Sequence, residues 1–400
     1  MPVIFFILNR LVIGGTAMNT LLLLQSLKQQ YKVVLLTGKK EADEALVENY
    51  EDYLDGITHI QLPLLQRSIN LPNDYKAYAA IKHLIGQYQP AIIYTIGAKP
   101  GFLGRLAAAK KRVPVIIHAY HGDVFAGYFN KIVSSVVMQL ERYVATKTTC
   151  IIAVSKKQQQ ELAAIYKIAP LHKLVHIPIG IKPSVFADAD GSLRQQFRQK
   201  YFVADDEVAI GIVGRIAPIK NHEFFIRLIA ALKHYPSKPL RFFIVGDGLQ
   251  LRLQLQKQLN NLSIPYTYFP KNPQKAFVTF TSWQNNMPEV MNGLDMVVLT
   301  SSNEGTPVSL LEAQAAGKPV ISANVGAVKE IVQHANTGLI YDPGDILMAT
   351  SHIESILNNT SYAQNLGAHG VQFVQSHHNI TTQLQQVQQL LTSLLGTLKG

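Results

Sequence analysis

Two cations five residues apart and two carboxylates eight residues apart are the side chains whose types and spacing best suit work on a charged substrate. The cations, Arg215 and Lys220, lie in Gly211-Ile-Val-Gly-Arg-Ile-Ala-Pro-Ile-Lys-Asn221, where an apolar run opens into a loop. Asn221 reads as the N-cap of the following helix. Lys220 would then face the positive end of that helix's dipole, an unfavourable place unless an anion sits beside it. With a diphosphate between them, Arg215 and Lys220 form a clamp that needs no metal.

The carboxylates lie in Ser302-Asn-Glu-Gly-Thr-Pro-Val-Ser-Leu-Leu-Glu-Ala-Gln-Ala-Ala-Gly317. Thr306 reads as an N-cap, Pro307 as the first helical residue and Gly317 as the residue just past the helix end. Glu304 therefore sits in the loop before the helix and Glu312 inside it. The same-face neighbours of Glu312 are Val308, Ser309, Ala315 and Ala316, a small and mostly apolar setting in which an unpaired acid is costly and wants a hydroxyl partner. The helix start also offers unpaired backbone N–H groups to a phosphate. The plainer alternatives are that Glu304 merely complements the helix dipole and that Glu312 is an ordinary surface acid.

Weaker signals surround these two segments. Gly14-Gly15 follows an apolar run and lets backbone approach a ligand, although a plain strand-to-helix turn would read the same way. Gly246-Asp247-Gly248 follows another such run, and Asp247 reads equally well as a helix cap. Of the 13 histidines, His121 stands apart, because it lies just past the apolar run Val115–Ala119, where a side chain overhangs a binding crevice. His118 reads as a core residue.

The elements that must position these residues alternate along the chain. Short β-branched runs at Val3–Leu8, Val33–Thr37, Ala91–Ile96, Val115–Ala119, Ile151–Ser155 and Val175–Pro178 are separated by amphipathic stretches, among them Met18–Gln30, Tyr75–Gln87 and Asn130–Ala145. The pattern starts again with runs at Ala209–Val213, Arg241–Val245, Tyr266–Phe269, Met296–Thr300, Pro319–Ser322 and Gly338–Tyr341. Such alternation predicts parallel strands covered on both faces by crossover helices. The expected fold is α/β, with two Rossmann-like doubly wound domains facing across a cleft. The Pro- and Gly-punctuated stretch Pro178–Ser192 marks the boundary, giving a first domain over 1–183 and a second over 184–380. A Gln- and Leu-rich tail over 381–400, helical from Thr382 to Leu398, is expected to pack back towards the first domain.

Length and composition agree with two cores: 400 residues exceed one comfortable domain, and 48% are hydrophobic. Charged residues are sparse at 16%, and the net charge of +11 is lopsided, with +10 carried by residues 1–186. From Lys99 to Lys173, 12 basic residues face only Asp123, Glu141 and Glu161. Such a surface suits anionic lipid, nucleic acid or a phosphorylated substrate. A single cysteine, Cys150, rules out an intrachain disulfide and fits a reducing compartment. No uninterrupted apolar stretch reaches the ~18 residues of a spanning helix, so the expectation is a cytoplasmic protein, at most peripheral to a membrane.

Together these segments resemble the retaining GT-B glycosyltransferases of family 4, which share the "glycosyl transferases group 1" domain. Val213-Gly-Arg-Ile-Ala-Pro-Ile-Lys-Asn221 is similar to that family's phosphate-binding segment, and Glu304 with Glu312 to its Glu-x7-Glu motif. Gly317-Lys-Pro-Val-Ile-Ser322 and Asn324-Val-Gly-Ala-Val-Lys-Glu-Ile331 are similar to the family's segments just C-terminal to that motif. The resemblance implies that Arg215 and Lys220 hold the donor diphosphate, Glu304 the sugar hydroxyls and Glu312 the ribose. It further implies that backbone at Gly305, Thr306 and Val308 meets phosphate or sugar, that His121 contacts the donor sugar, and that Gly15 lies near the phosphates, with Gly14 of the same turn a further donor-binding candidate. Asp247 is a less certain donor-binding match, and Pro307, where relatives carry glycine, supplies no N–H. His121, Glu304, Arg215 and Lys220 are the expected catalytic set.

The implied activity is metal-independent, retaining transfer of a sugar from a nucleotide-diphosphate-sugar, with a UDP-sugar favoured. The acceptor would be a hydroxyl on a glycan or lipid-linked precursor at an anionic membrane surface, without a cofactor or metal. Two alternatives remain in view: a non-hydrolysing nucleotide-sugar 2-epimerase on the same fold, and a basic nucleic-acid-binding protein. The latter lacks a recognised motif or an aromatic stacking platform, so nucleic acid is not an expected partner.

Overall fold

The computed structural model describes residues 1–42, 44–66, 68–122 and 131–396. Asp123, the expected helix start at Asn130 and the expected tail end at Leu398 lie outside them. Contacts divide the chain into two compact units, one of Met1–Ile179 with Thr381–Gly400 and one of Gly180–Ile380.

In the first unit the strands are β1 (Val3–Leu8), β2 (Lys32–Thr37), β3 (Thr58–Gln61), β4 (Ile92–Ile96), β5 (Val115–Tyr120), β6 (Cys150–Ala153) and β7 (Leu174–His176). They pair in parallel in the order β3-β2-β1-β4-β5-β6-β7. The second unit has β8 (Val208–Val213), β9 (Leu240–Val245), β10 (Tyr266–Tyr268), β11 (Val278–Ser282), β12 (Met296–Leu299), β13 (Val320–Ala323) and β14 (Leu339–Tyr341), also parallel, in the order β10-β11-β9-β8-β12-β13-β14. Both are doubly wound, Rossmann-like sheets. The strand order reverses between β1 and β4 in one and between β8 and β12 in the other, so each offers a crevice at the carboxyl ends of those strands.

Two strands escape the sequence reading. β3 is an edge strand of Thr-His-Ile-Gln that is nowhere fully buried, and β11 alternates threonine with apolar residues, so neither shows the unbroken apolar run of a doubly covered strand. Helices at Ser192–Lys200, Met287–Gly293, Ile346–Asn358 and Thr360–His377 add to those expected.

The C-terminal helix, Ile380–Gly396, sends Val387 and Leu391 into the same cluster as Ile4, Leu21 and Leu24 of the first unit. Asn19 and Gln383 exchange two amide hydrogen bonds there, at 2.7 and 3.0 Å, which satisfies both buried amides at once. Among the described residues, no helix is long and apolar enough to cross a membrane.

Beneath the end of β5 lies a buried ionic network. Arg105, fully buried on helix Ala98–Lys110, donates to both oxygens of Glu141 on helix Lys131–Thr146, at 2.8 and 2.6 Å, and to the Gly101 carbonyl at 2.7 Å. The Tyr120 hydroxyl donates to the same carboxylate at 2.6 Å. Burial and the Glu141 charge hold that hydroxyl well above its ordinary pKa, so it remains a donor. The network ties two helices to the strand that ends beside His121. Glu141→Ala strands the Arg105 charge in the core and should cost about 3–5 kcal/mol. Urea unfolding followed by a probe in the first unit reads this, and a loss below about 1 kcal/mol would show that the pair does not hold these helices.

Candidate active site

At the second unit's switch point, the loops leaving β8 and β12 are stitched together. The Thr300 hydroxyl donates to the carbonyls of Lys220 and Asn221, both at 3.0 Å, and the Ser302 amide to the carbonyl of Ile219 at 2.8 Å. This brings the expected cation and the expected acid into contact: Lys220 Nζ lies 2.5 Å from Glu304 Oε1, to which Ser301 Oγ also donates at 2.6 Å. The anion that Lys220 requires is thus Glu304 itself in this structure. Glu304 Oε2 makes no hydrogen bond to a described residue and remains an acceptor.

Asn221 departs from its expected role. It occupies the cap position of helix His222–Ala231, but with left-handed φ 50° and ψ 49° and no side-chain capping bond. A capping side chain acts from extended backbone, which this residue does not have.

Tight backbone contacts fix both loops. Gly214 and Ile216, on either side of Arg215, donate to the carbonyls of Val245 and Asp247 at 2.9 Å each. At Gly246, with φ 126°, a Cβ would stand 2.2 Å from the Gly214 carbonyl oxygen, and at Gly326, with φ 52°, 1.7 Å from that of Glu304. Only glycine allows these approaches. The segment Asn324-Val-Gly-Ala is therefore a wedge beneath the Glu304 loop, and the Gly246 turn a wedge beneath the half-buried Arg215.

Asp247 is committed to its own turn. Its Oδ1 accepts from the Gly248 amide at 2.7 Å and Arg252 Nε at 2.9 Å, and its Oδ2 from Ser282 at 2.8 Å and Tyr268 at 3.0 Å. Burial works to raise its pKa, but the bonds from Gly248, Ser282 and Arg252 outweigh it and hold the carboxyl below its ordinary value. With four protein donors in place, this carboxylate shapes the loop under Arg215 and has little capacity left for a ligand.

The acid-bearing helix runs from Val308 to Ala315, with Pro307 at the cap position and Gly317, φ 69°, just past its end. The expected cap, Thr306, is one residue too early and is buried. Because proline at the cap has no N–H, the first free amide belongs to Val308. Glu312 is half-buried and makes no side-chain hydrogen bond to a described residue. Burial pushes its pKa up to about 8. The second unit therefore gathers Arg215, Lys220, Glu304, Gly305, Thr306 and Val308 at one pole, with Glu312 on the same helix and half-buried.

The first unit has its own crevice at the β1/β4 switch point, a cavity of about 250 Å³ lined by Asn9, Arg10, Thr16, Gly97 and His121 among others. His121 directly follows β5, burial pushes its pKa down to about 4, and its Nδ1 is buried without a partner among the described residues. It is a neutral imidazole in the wall of a mixed polar and apolar cavity. Gly14, φ 152°, precedes helix Gly15–Leu27, whose first turn carries Thr16 into the cavity wall. His118, as expected, is a core residue, 1% exposed and hydrogen-bonded to Thr95 at 2.8 Å.

Asn9 and Arg10 were not among the expected site residues. Asn9 Oδ1 is buried and unpartnered among the described residues, whereas Arg10 is pinned by Glu41 and Glu44, each at 2.8 Å. The signal for them is that a polar pair abruptly ends an apolar strand at the switch point.

Comparison with known proteins identifies the family. The family described as "Glycosyl transferases group 1" matches residues 194–373, and "Glycosyltransferase Family 4" matches residues 13–185. An Escherichia coli enzyme named UDP-Gal:alpha-D-GlcNAc-diphosphoundecaprenol alpha-1,3-galactosyltransferase is 30% identical over 305 residues, 74% of either chain. The Staphylococcus aureus capsular polysaccharide biosynthesis glycosyltransferase CapM is 24% identical and covers 90% of this chain and 93% of its own. The crystal structure of Anabaena HepE with UDP and glucose superposes with a TM-score of 0.80 at 19% identity, covering 98% of this chain and 100% of that one.

Fold and relatives thus define a GT-B enzyme that transfers glycosyl groups. More narrowly, the chain belongs to the family 4 glycosyltransferases.

Glu312 gives this site a pH signature. The folded protein keeps its proton up to about pH 8, whereas an unfolded chain releases it near the ordinary carboxyl value of about 4.3. The folded state is the tighter proton binder across that window, so stability at this group falls as pH rises through it. Glu312→Gln should flatten the decline of Tm between pH 5 and pH 8 relative to wild type. An identical slope in both proteins would mean that Glu312 is ionised throughout.

Proposed function

We propose that this enzyme moves a sugar, with retention of anomeric configuration and without a metal, from a UDP-sugar to a hydroxyl of a lipid-linked glycan precursor in polysaccharide assembly. The observation that carries the reading is the contact of Lys220 with Glu304 beside Arg215 at the second unit's switch point, where cations and an acid with a free oxygen share one pole. The E. coli relative is named for a UDP-sugar and a diphosphoundecaprenol-linked acceptor, and the HepE structure was solved with UDP and glucose, which supports the choice of substrates.

In this reading the diphosphate lies against Arg215, Lys220 and the amide of Val308, which stabilise the charge that grows on it as the anomeric C–O bond breaks. Glu304 Oε2 accepts from a sugar hydroxyl while Oε1 keeps Ser301. Glu312 accepts from the ribose hydroxyls, which satisfies a carboxyl that otherwise has no partner. The acceptor oxygen bonds to the anomeric carbon from the face that the diphosphate leaves, and its proton passes to a diphosphate oxygen. His121 is neutral at working pH, so a hydrogen bond from it to a ligand of the first unit's cavity adds no charge. The acceptor is presented at the cytoplasmic face of a membrane, where the basic first unit suits anionic lipid.

Incubation with UDP-galactose, UDP-glucose or UDP-N-acetylglucosamine and a GlcNAc-diphospholipid in EDTA should release UDP and form an α-linked product, visible in the anomeric proton coupling. Arg215→Ala should lower turnover about 10²- to 10³-fold with little change in Tm. A β-linked product would refute retention, and full activity in Arg215→Ala would refute the clamp.

A further inference from the structure

Helix Lys131–Thr146 shows an unusual outer face. Its inner side buries Glu141, Val144 and Ala145, while Val136, Leu140 and Tyr143, spaced four and three residues apart on one stripe, are 55%, 43% and 55% exposed. A surface helix ordinarily turns polar residues outward. A second segment with exposed apolar side chains packs against the end of this helix. Arg142 donates through Nε and an NH2 group to the Tyr166 carbonyl at 3.0 and 2.8 Å, and Lys173 Nζ reaches the Thr148 carbonyl at 3.1 Å, which fixes residues 165–173 beside the helix end. On that segment Ile165 and Leu171 are 65% and 60% exposed.

The charge carried by residues 131–173 is mostly of one sign. Lys147, with its ammonium 5.6 Å from the Tyr143 ring centre, is exposed, as are Lys156, Lys157 and Lys167. The acids between residues 131 and 173 are Glu141 and Glu161 alone. The first is buried against Arg105, and the second lies 3.8 Å from Lys157. A second copy of the chain would bring like charges together across such a face. A nucleic acid would find four aliphatic side chains and one ring where it needs stacking surfaces. An anionic bilayer supplies hydrocarbon for the stripe and headgroup charge for the lysines together.

We infer that this face, Val136, Leu140, Tyr143, Ile165 and Leu171 with Lys147 and Lys167, is where the enzyme docks on an anionic lipid surface. The inference rests on the reading of a membrane-presented acceptor and names the surface that meets the membrane. No side chain of the face belongs to the sugar-transfer site, so docking and chemistry separate on substitution.

The test is flotation of the full chain with vesicles of phosphatidylcholine alone or mixed with phosphatidylglycerol. Wild type should float with the mixed vesicles and not the neutral ones, and high salt should release it. Leu140→Ser with Tyr143→Ser, and separately Lys147→Gln with Lys167→Gln, should each weaken binding at least tenfold, the lysine pair by about fivefold per charge. Tm and UDP release with a short-chain, detergent-free acceptor should stay at wild-type levels in both variants. If wild type floats and both variants float equally well, the docking face is elsewhere and the membrane reading survives. If wild type floats with neither vesicle, both fail.

Discussion

A lysine ammonium 2.5 Å from a carboxylate, at the point where a parallel sheet reverses its strand order, is the contact on which the chemistry proposed for the second unit rests. Lys220 and Glu304 are 22% and 12% exposed, so each has given up much of its water, and each needs an opposite charge. The pair meets that need in the absence of substrate and holds both groups at one pole. It also leaves Glu304 Oε2 and two ammonium protons uncommitted, which is the capacity that a sugar hydroxyl and a phosphate oxygen would take up.

The surroundings exist to keep that contact in place. Parallel strands covered on both faces put every loop of one kind at the same edge of the sheet, so residues more than eighty positions apart meet there. Backbone wedges then remove the remaining freedom. The Gly246 turn packs under the Arg215 loop and Gly326 under Glu304, each at a separation no other residue permits. Asp247 spends its whole carboxylate on the first of these wedges. The first unit uses another device, the buried Arg105–Glu141–Tyr120 network, to anchor the strand from which His121 projects.

Much of this was legible in the sequence because parallel strands announce themselves as β-branched runs and because Arg215, Lys220, Glu304 and Glu312 sit at telling distances from glycines and a helix start. The failures have physical causes. β3 and β11 lack apolar runs because one lies at an edge and the other mixes threonine into a buried position. Thr306 looked like a cap, but Pro307 occupies that position, and Asn221 took the left-handed conformation that asparagine tolerates in place of the extended one a capping side chain needs. Two of the four donors to Asp247, and the partner of Lys220, lie 21 to 84 residues away along the chain, which spacing within one segment cannot reveal. Asn9 and Arg10 were visible only as an interruption of a strand.

Thermal unfolding with UDP, GDP or ADP, each in EDTA, tests most directly whether cations alone hold a nucleoside diphosphate at this pole. A ligand at a hundredfold excess over its Kd stabilises the folded state by about 2.7 kcal/mol. UDP should raise the Tm of wild type, GDP and ADP should do so less, and Arg215→Ala should abolish the UDP shift while unfolding normally without ligand. A UDP shift that persists in Arg215→Ala, or that appears only when a divalent metal replaces EDTA, would contradict the metal-free clamp.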